Sequence, residues 1–184
     1  MESYFVVGDI HGKAGMLEEL MTHWDGQSQL VFLGDLIDRG EDSRKVIELV
    51  KDVVEQQGAI CLSGNHEYMF LAWIDNPTER YDHYRRNGWD TTINSLLGLP
   101  ITAPVDGVKD ARRVQETCGD LVTFIRSLPF VYETEYYIFV HAGLDLTLSD
   151  WHETTDYQKV WIRQPFHEAS NQTGKTIVFG HTPV

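Results

Sequence analysis

The chain has 184 residues, 42% apolar and 23% charged, ordinary proportions for a globular protein and long enough for one domain with a sizeable core. Its 28 acids against 15 bases give a net charge of −13, which excludes a general nucleic-acid binder, since that function needs a basic face against phosphates. No apolar run approaches the ~20 residues that cross a bilayer, and "MESYFVVGDIHG" lacks the features of a secretory leader, so a cytoplasmic protein without a membrane partner is expected.

In chain order, "YFVVGD" (4–9) reads as a strand and "KAGMLEELMTHW" (13–24) as an amphipathic helix with Met16, Leu17, Leu20 and Met21 on one face. "QLVFLGD" (29–35) is a second strand, covered on both faces because its apolar run is continuous. "DSRKVIELVKDVVEQQG" (42–58) is a helix that starts on Asp42 or Ser43 and ends at Gly58. "AICLSGN" (59–65) is a third strand, in which Cys61 reads as a reduced core residue; the other cysteine, Cys118, belongs to no Cys-x-x-Cys pair. Strand–helix–strand alternation predicts a parallel sheet with crossover helices. Residues 66–128 read as mainly helical, with a loop around 97–107. "FVYETE" and "YYIFVHAG" then predict a hairpin, and "KTIVFGHTPV" (175–184) a last strand. The fold class expected is α/β, a mixed sheet with helices outside, in one domain over 1–184.

Five of the six predicted strands end in a similar cluster. These are Gly8-Asp9-Ile10-His11-Gly12, Gly34-Asp35, Gly64-Asn65-His66-Glu67, Val140-His141-Ala142-Gly143 and Gly180-His181-Thr182. Ligands in open α/β sheets bind outside the carboxyl ends of strands, so these segments can converge. Asp9 and His11 are two apart and project to one side of an extended backbone. A buried carboxylate at Asp35 needs a partner or a metal. Two Asp, one Asn and three His are too many for one ion and fit two, about 3.5–4 Å apart, with Asp35 as the bridge. The donor set suits manganese, iron or zinc. His23, His83, His152 and His167 lie in no such cluster and are assigned surface or structural roles. Bound cations would also reconcile the acidic chain with a phosphate substrate.

"GDIHG", "GDLIDRG", "GNHE", "HAG" and "GHTPV" resemble, in order and spacing, the motifs of calcineurin-like metallophosphoesterases, and the "GDLIDRG" and "GNHE" forms resemble the phosphoprotein-phosphatase branch. The resemblance runs from Gly8 to Val184. It implies a sandwich of β-sheets flanked by helices, and two divalent metal ions, manganese first and iron or zinc as alternatives. It implies Asp9, His11 and Asp35 at one ion, and Asp35, Asn65, His141 and His181 at the other. It further implies His66 as proton donor to the leaving group, Asp38 as the residue orienting it, and Arg39 and Arg163 as phosphate contacts, Arg163 standing in the Trp-x-Arg segment "VWIRQ". These roles are chemically coherent. A hydroxide held between two ions is a nucleophile at neutral pH, the planar arginine fork suits phosphate oxygens, and a poor alkoxide leaving group benefits from a positioned acid.

Two departures stand out. Trp89 in "NGWDTT" (87–92) replaces the second glycine of an Asn-Gly-Gly segment, which withholds a substrate-contact role from that stretch. The family continues past "GHTPV" with further strands, so C-terminal strands are expected to be missing from this chain. The function expected is a metal-dependent phosphomonoesterase acting on phosphoserine or phosphothreonine proteins. The alternative within the same chemistry is a dinucleoside polyphosphate hydrolase acting on a small phosphoester. A non-catalytic scaffold on the same fold would show gaps in the ligand set, and none is found; a nuclease would need a basic stripe.

Overall fold

The computed structural model describes residues 3–183. Strands β1 (Tyr4–Val7), β2 (Gln29–Phe32) and β3 (Ile60–Cys61) form a parallel sheet with β2 in the centre. Helices α1 (Ala14–Met21) and α2 (Ser43–Gln57) make the crossovers, and α2 ends where Gly58 turns left-handed at φ 70°. Alternation divides the sheet's two faces. Phe5, Val7, Leu30, Phe32 and Cys61 face the helices, while Tyr4, Val6, Val31, Leu33, Ile60 and Leu62 face the other way.

That second face meets another sheet. Strands β4 (Val131–Glu133) and β5 (Tyr137–Val140) form the expected antiparallel hairpin, and β6 (Thr176–Val178) joins β5 in parallel. Tyr132, Tyr137, Phe139 and Val178 pack against the first sheet, with the Tyr4 and Phe139 rings 4.9 Å apart. The sandwich of β-sheets that the resemblance implies is present as two three-stranded sheets, one parallel and one mixed, stacked face to face, where strand pattern alone suggests a single mixed sheet. The reason is that β5 is apolar on both sides. Phe139 serves the inner face, while Ile138 and Val140 pack outward against Leu144, Trp151 and Ile177.

The stretch after β3 is helical as expected: α3 (Asn65–Asp75), α4 (Pro77–Arg85), α5 (Asp90–Leu96), α6 (Lys109–Thr117) and α7 (Gly119–Ser127), with an irregular segment between α5 and α6. Phe70, Trp73, Tyr84, Trp89, Ile93, Val114 and Ile125 extend the core on the helical side of the first sheet. Trp89, only 3% exposed, is therefore a core residue. Short α8 (Asp156–Trp161) and α9 (Gln164–Glu168) cover the outer face of the second sheet, with Val160 and Phe166 buried.

Three expectations change in detail. On α1 only Ala14 and Leu17 are buried, and Met21 is partly so; Met16 (70%) and Leu20 (38%) remain exposed, because the helix presents just one narrow edge to the sheet. The last strand stops at Val178: Gly180 N–H turns back to the His141 carbonyl at 2.8 Å and His181 is left-handed. Val184 lies outside the described residues. β1 and β2 likewise end before Asp9 and Asp35, so those residues sit in turns and not in strands. Among the described residues no helix is long and apolar enough to cross a membrane.

Candidate metal centre

The turns at the carboxyl ends of β1, β2, β3, β5 and β6 meet at one end of the sandwich. At the β2 turn, Gly34 (φ 98°) lies so close to Gly64 that a Cβ on either would collide with the other turn. This backbone contact brings Asp35 beside Asn65 and His66. The turn is fixed by Glu67, fully buried, whose carboxylate accepts the N–H groups of Asp35 (2.8 Å), Leu36 (2.9 Å) and Gly64 (2.9 Å). Glu67 has no role in the sequence reading, although it completes the "GNHE" motif; only the fold reveals the donors it gathers.

Asp35 is 2% exposed, and its two oxygens point to different neighbours. Oδ2 lies 3.7 Å from His11 Nε2, and Oδ1 lies 3.5 Å from His141 Nε2. His66 N–H donates to Oδ1 at 3.1 Å, which holds the carboxylate in place. Around it are two overlapping groups of potential ligands: His11, Asp35 and His66, and Asp35, His141 and His181, with the donor atoms of each group within 4.8 Å of one another. Asp9 adjoins the first group, its Oδ2 3.9 Å from His11 Nε2, while its Oδ1 accepts from His181 N–H at 3.2 Å. The two residues reach the site through a left-handed His11 (φ 47°), not through the extended backbone expected.

Tautomers test whether a cation fits. His141 Nδ1 donates to the Leu33 carbonyl at 2.9 Å, and burial lowers the His141 pKa, so the ring is neutral and Nε2 carries a lone pair. That lone pair faces Asn65 Oδ1 at 3.0 Å and Asp35 Oδ1 at 3.5 Å. Three potential acceptor atoms thus converge, an arrangement that a cation satisfies. His11 repeats the pattern, with Nδ1 on the Ile37 carbonyl at 2.9 Å. Burial first, then the nearby His141 ring and the Arg163 charge, lower His181 to about 4, so it too is neutral at pH 7. Burial pushes Asp35 up to about 7 and, with the Asp35 charge, Glu67 to about 7. A metal would relieve this strain on Asp35.

His66 differs from the other histidines. Its Nδ1 is 2.7 Å from Asp38 Oδ2, both side chains being almost wholly buried. Burial acts to lower its pKa, but the Asp38 bond and the Asp35 charge prevail and the net shift is upward. With Nδ1 engaged, Nε2 faces the cluster and can carry a proton. The Arg39 guanidinium spans the two rings, Nη1 at 2.8 Å from His11 Nε2 and Nη2 at 3.2 Å from His66 Nε2. Its backbone N–H is anchored on the Gly88 carbonyl at 3.1 Å, so the "NGW" segment positions this arginine through its backbone. Arg163 is exposed between α8 and α9, and its link to the cluster is electrostatic, through His181. His23, His83, His152 and His167 are all exposed and apart from the ligand groups. Tyr84 and Thr92 also reach Asp38, and no sequence signal marks them.

One cleft opens on the cluster and a second lies near it, with no ligand residue in its walls. The second, about 580 Å³, has walls of Tyr68, Phe130, Tyr157 and Trp161, with Arg80 and His83 also lining it. Trp161 stands edge-on to His181, ring centres 5.9 Å apart. The other, about 660 Å³, includes Asp9, His11 and Arg39 and the exposed Met16 and Leu20 of α1.

Comparison with known proteins agrees with this geometry. The chain is 26% identical over 179 residues to the symmetrical bis(5'-nucleosyl)-tetraphosphatase of Ralstonia nicotianae, covering 96% of this chain and 54% of that protein. It is 25% identical over 210 residues to the asymmetrical bis(5'-nucleosyl)-tetraphosphatase PrpE of Halalkalibacterium halodurans, covering 97% and 78%. The chain thus spans about half the length of the first of these relatives. A crystal structure provisionally described as a diadenosine tetraphosphatase superposes with a TM-score of 0.60 at 20% identity, over 97% of this chain and 74% of that one, a likeness of fold. A model of the calcineurin-like phosphoesterase family matches residues 3–184, and with the ligand groups gathered at its strand ends the chain belongs to that family.

Proposed function

We propose that this chain is the hydrolytic domain of a two-metal phosphoesterase whose substrate is a dinucleoside polyphosphate. The observation that carries the two-metal reading is Asp35, buried, with one oxygen toward His11 and the other toward His141. Asp9, His11 and Asp35 would hold one ion; Asp35, Asn65, His141 and His181 would hold the other. Manganese is the first candidate. Two such ions lower the pKa of water and neutralise phosphate charge.

The chain's own residues supply the rest. Arg39, 2.8 Å from His11 Nε2, would be free to donate to the phosphate once that lone pair were taken by an ion. Arg163 adds a second cation from the α8–α9 side. The water oxygen would form a new P–O bond and leave its proton on the product phosphate or solvent as the opposite P–O bond breaks, and the departing phosphate oxygen would take a proton from His66 Nε2, which solvent would then restore. Asp38 holds the imidazole through Nδ1 and favours its protonated form.

Substrate class is argued from two supports. The relatives named above are bis(5'-nucleosyl)-tetraphosphatases, and one cleft opens on Asp9, His11 and Arg39 while a second, aromatic one includes Trp161, whose ring stands beside His181; a substrate with a nucleoside at both ends could use both. Aromatic walls such as Tyr157 and Trp161 suit a stacked base. This reverses the order of preference drawn from the sequence motifs, which put phosphoserine and phosphothreonine proteins first.

The test is a hydrolysis panel on chelated protein reloaded with manganese: diadenosine tetraphosphate, a phosphoserine peptide and nitrophenyl phosphate. Diadenosine tetraphosphate should give the highest kcat/KM. A higher value for the phosphopeptide would restore the protein-phosphatase reading. Binding of fewer than two ions per chain, with no turnover of any substrate, would overturn the two-metal reading itself.

A further inference from the structure

The helical stretch between β3 and β4 reaches into the site. Asp38 is wholly buried, and its two carboxylate oxygens are used differently. Oδ2 holds His66 Nδ1 at 2.7 Å. Oδ1 accepts from Tyr84 Oη of α4 at 2.7 Å and from Thr92 Oγ1 of α5 at 2.7 Å. Thr92 Oγ1 in turn lies 2.8 Å from the Asp38 N–H, which donates to it, and 2.9 Å from Ser43 Oγ. Burial and the Asp38 charge keep the Tyr84 phenol protonated, so it is always a donor. Packing does not explain the hydroxyl. The Tyr84 ring already lies among Phe70, Trp73 and Trp89, where a phenyl ring would serve equally.

We propose that Tyr84 and Thr92 are positioning residues for proton transfer, clamping Oδ1 of Asp38 so that Oδ2 alone holds His66 with Nε2 directed at the departing oxygen. The inference rests on the donor role proposed for His66. A carboxylate free to rotate would offer His66 either oxygen, and the imidazole would lose its single orientation. Two donors on Oδ1 remove that freedom. The helices α4 and α5 thereby serve the chemistry as well as the core.

Tyr84→Phe removes one donor and keeps the ring. With manganese-loaded protein its kcat should fall about tenfold on an alkyl phosphate such as phosphoserine peptide, with KM unchanged, and stay within about twofold on nitrophenyl phosphate, whose leaving group needs no acid. Thr92→Val should behave likewise, and Thr92→Ser, which retains the hydroxyl, should restore the parent rates. If Tyr84→Phe does not fold, the Thr92 pair decides. A second readout is independent of turnover. The Nδ1 proton of His66 in metal-free protein should give a downfield NMR signal that moves in Tyr84→Phe and Thr92→Val and not in Thr92→Ser. Equal losses on both substrates, or an unmoved signal, would overturn the clamp. His66→Asn separates the two ideas. If that variant shows no leaving-group dependence, the donor role falls, and the NMR signal alone then decides whether the clamp on Asp38 exists.

Discussion

Among the described residues the non-glycine positions with left-handed backbone are His11, Asp35, Asp38, Arg39 and His181, all of them candidate site residues. Each such residue costs of order 1–3 kcal/mol, and it persists only where the surroundings enforce it. Arg39, at φ 68°, is the useful test because its side chain is exposed and carries little packing. Arg39→Gly relieves the backbone and Arg39→Ala does not, so the glycine variant should be the more stable by about 1 kcal/mol in urea unfolding. Both should weaken inhibition by inorganic phosphate by about tenfold or more, since each removes a charged donor. Equal urea midpoints for the two variants would remove the strain argument, and unchanged phosphate inhibition would remove Arg39 from the phosphate site.

Helix α3 begins at the site and is held there by one carboxylate. Glu67 accepts two N–H groups from the β2 turn and one from Gly64. Glutamine offers a single acceptor oxygen and sets an amide N–H₂ against at least one of those donors. Glu67→Gln should therefore destabilise the protein by about 2–3 kcal/mol and lower its ion stoichiometry below two, because the β2 turn carries Asp35. An unchanged urea midpoint with two ions bound would show that the anchor is dispensable. The strand ends and their clusters were legible in the sequence because glycine, aspartate and histidine repeat there against apolar runs. Helix α2 was legible from its period and from Gly58. What the chain hid was set by tertiary contact. Tyr84 and Thr92 lie 46 and 54 residues from Asp38, and nothing local marks a hydroxyl that will be buried against a carboxylate. Met16 and Leu20 follow helical spacing yet stay exposed, since periodicity states which residues share a face and not how much of that face is covered. The split into two sheets was legible through the motif resemblance and not through strand pattern, because a strand apolar on both sides fits either arrangement.

At the scale of the molecule, the second ligand group joins the two sheets. Asp35 comes from the turn after β2 and Asn65 from the start of α3 after β3, while His141 and His181 come from turns after β5 and β6 of the second sheet. An ion bound there favours the docked pair over any state in which the sheets part. Manganese at about 100 times its dissociation constant should therefore raise unfolding stability by about 2.7 kcal/mol per ion. The gain should depend on pH in a defined sense. Burial holds Asp35 at about 7, the ion binds its carboxylate form, and a proton must leave; affinity should thus fall about tenfold per pH unit below 7 and level off above it. His181, at about 4, is already neutral and adds nothing to that slope. Calorimetry in buffers of differing ionisation enthalpy measures the released proton, and a flat profile between pH 6 and 8 would contradict the assignment of Asp35. The division of ligands between the sheets has one more consequence. On the two-metal reading, a nascent chain that has completed only its first sheet would hold half of the ligand set and stay chemically silent, so any hydrolysis would wait on the docking of β5 and β6, and activity would report that the two sheets have met.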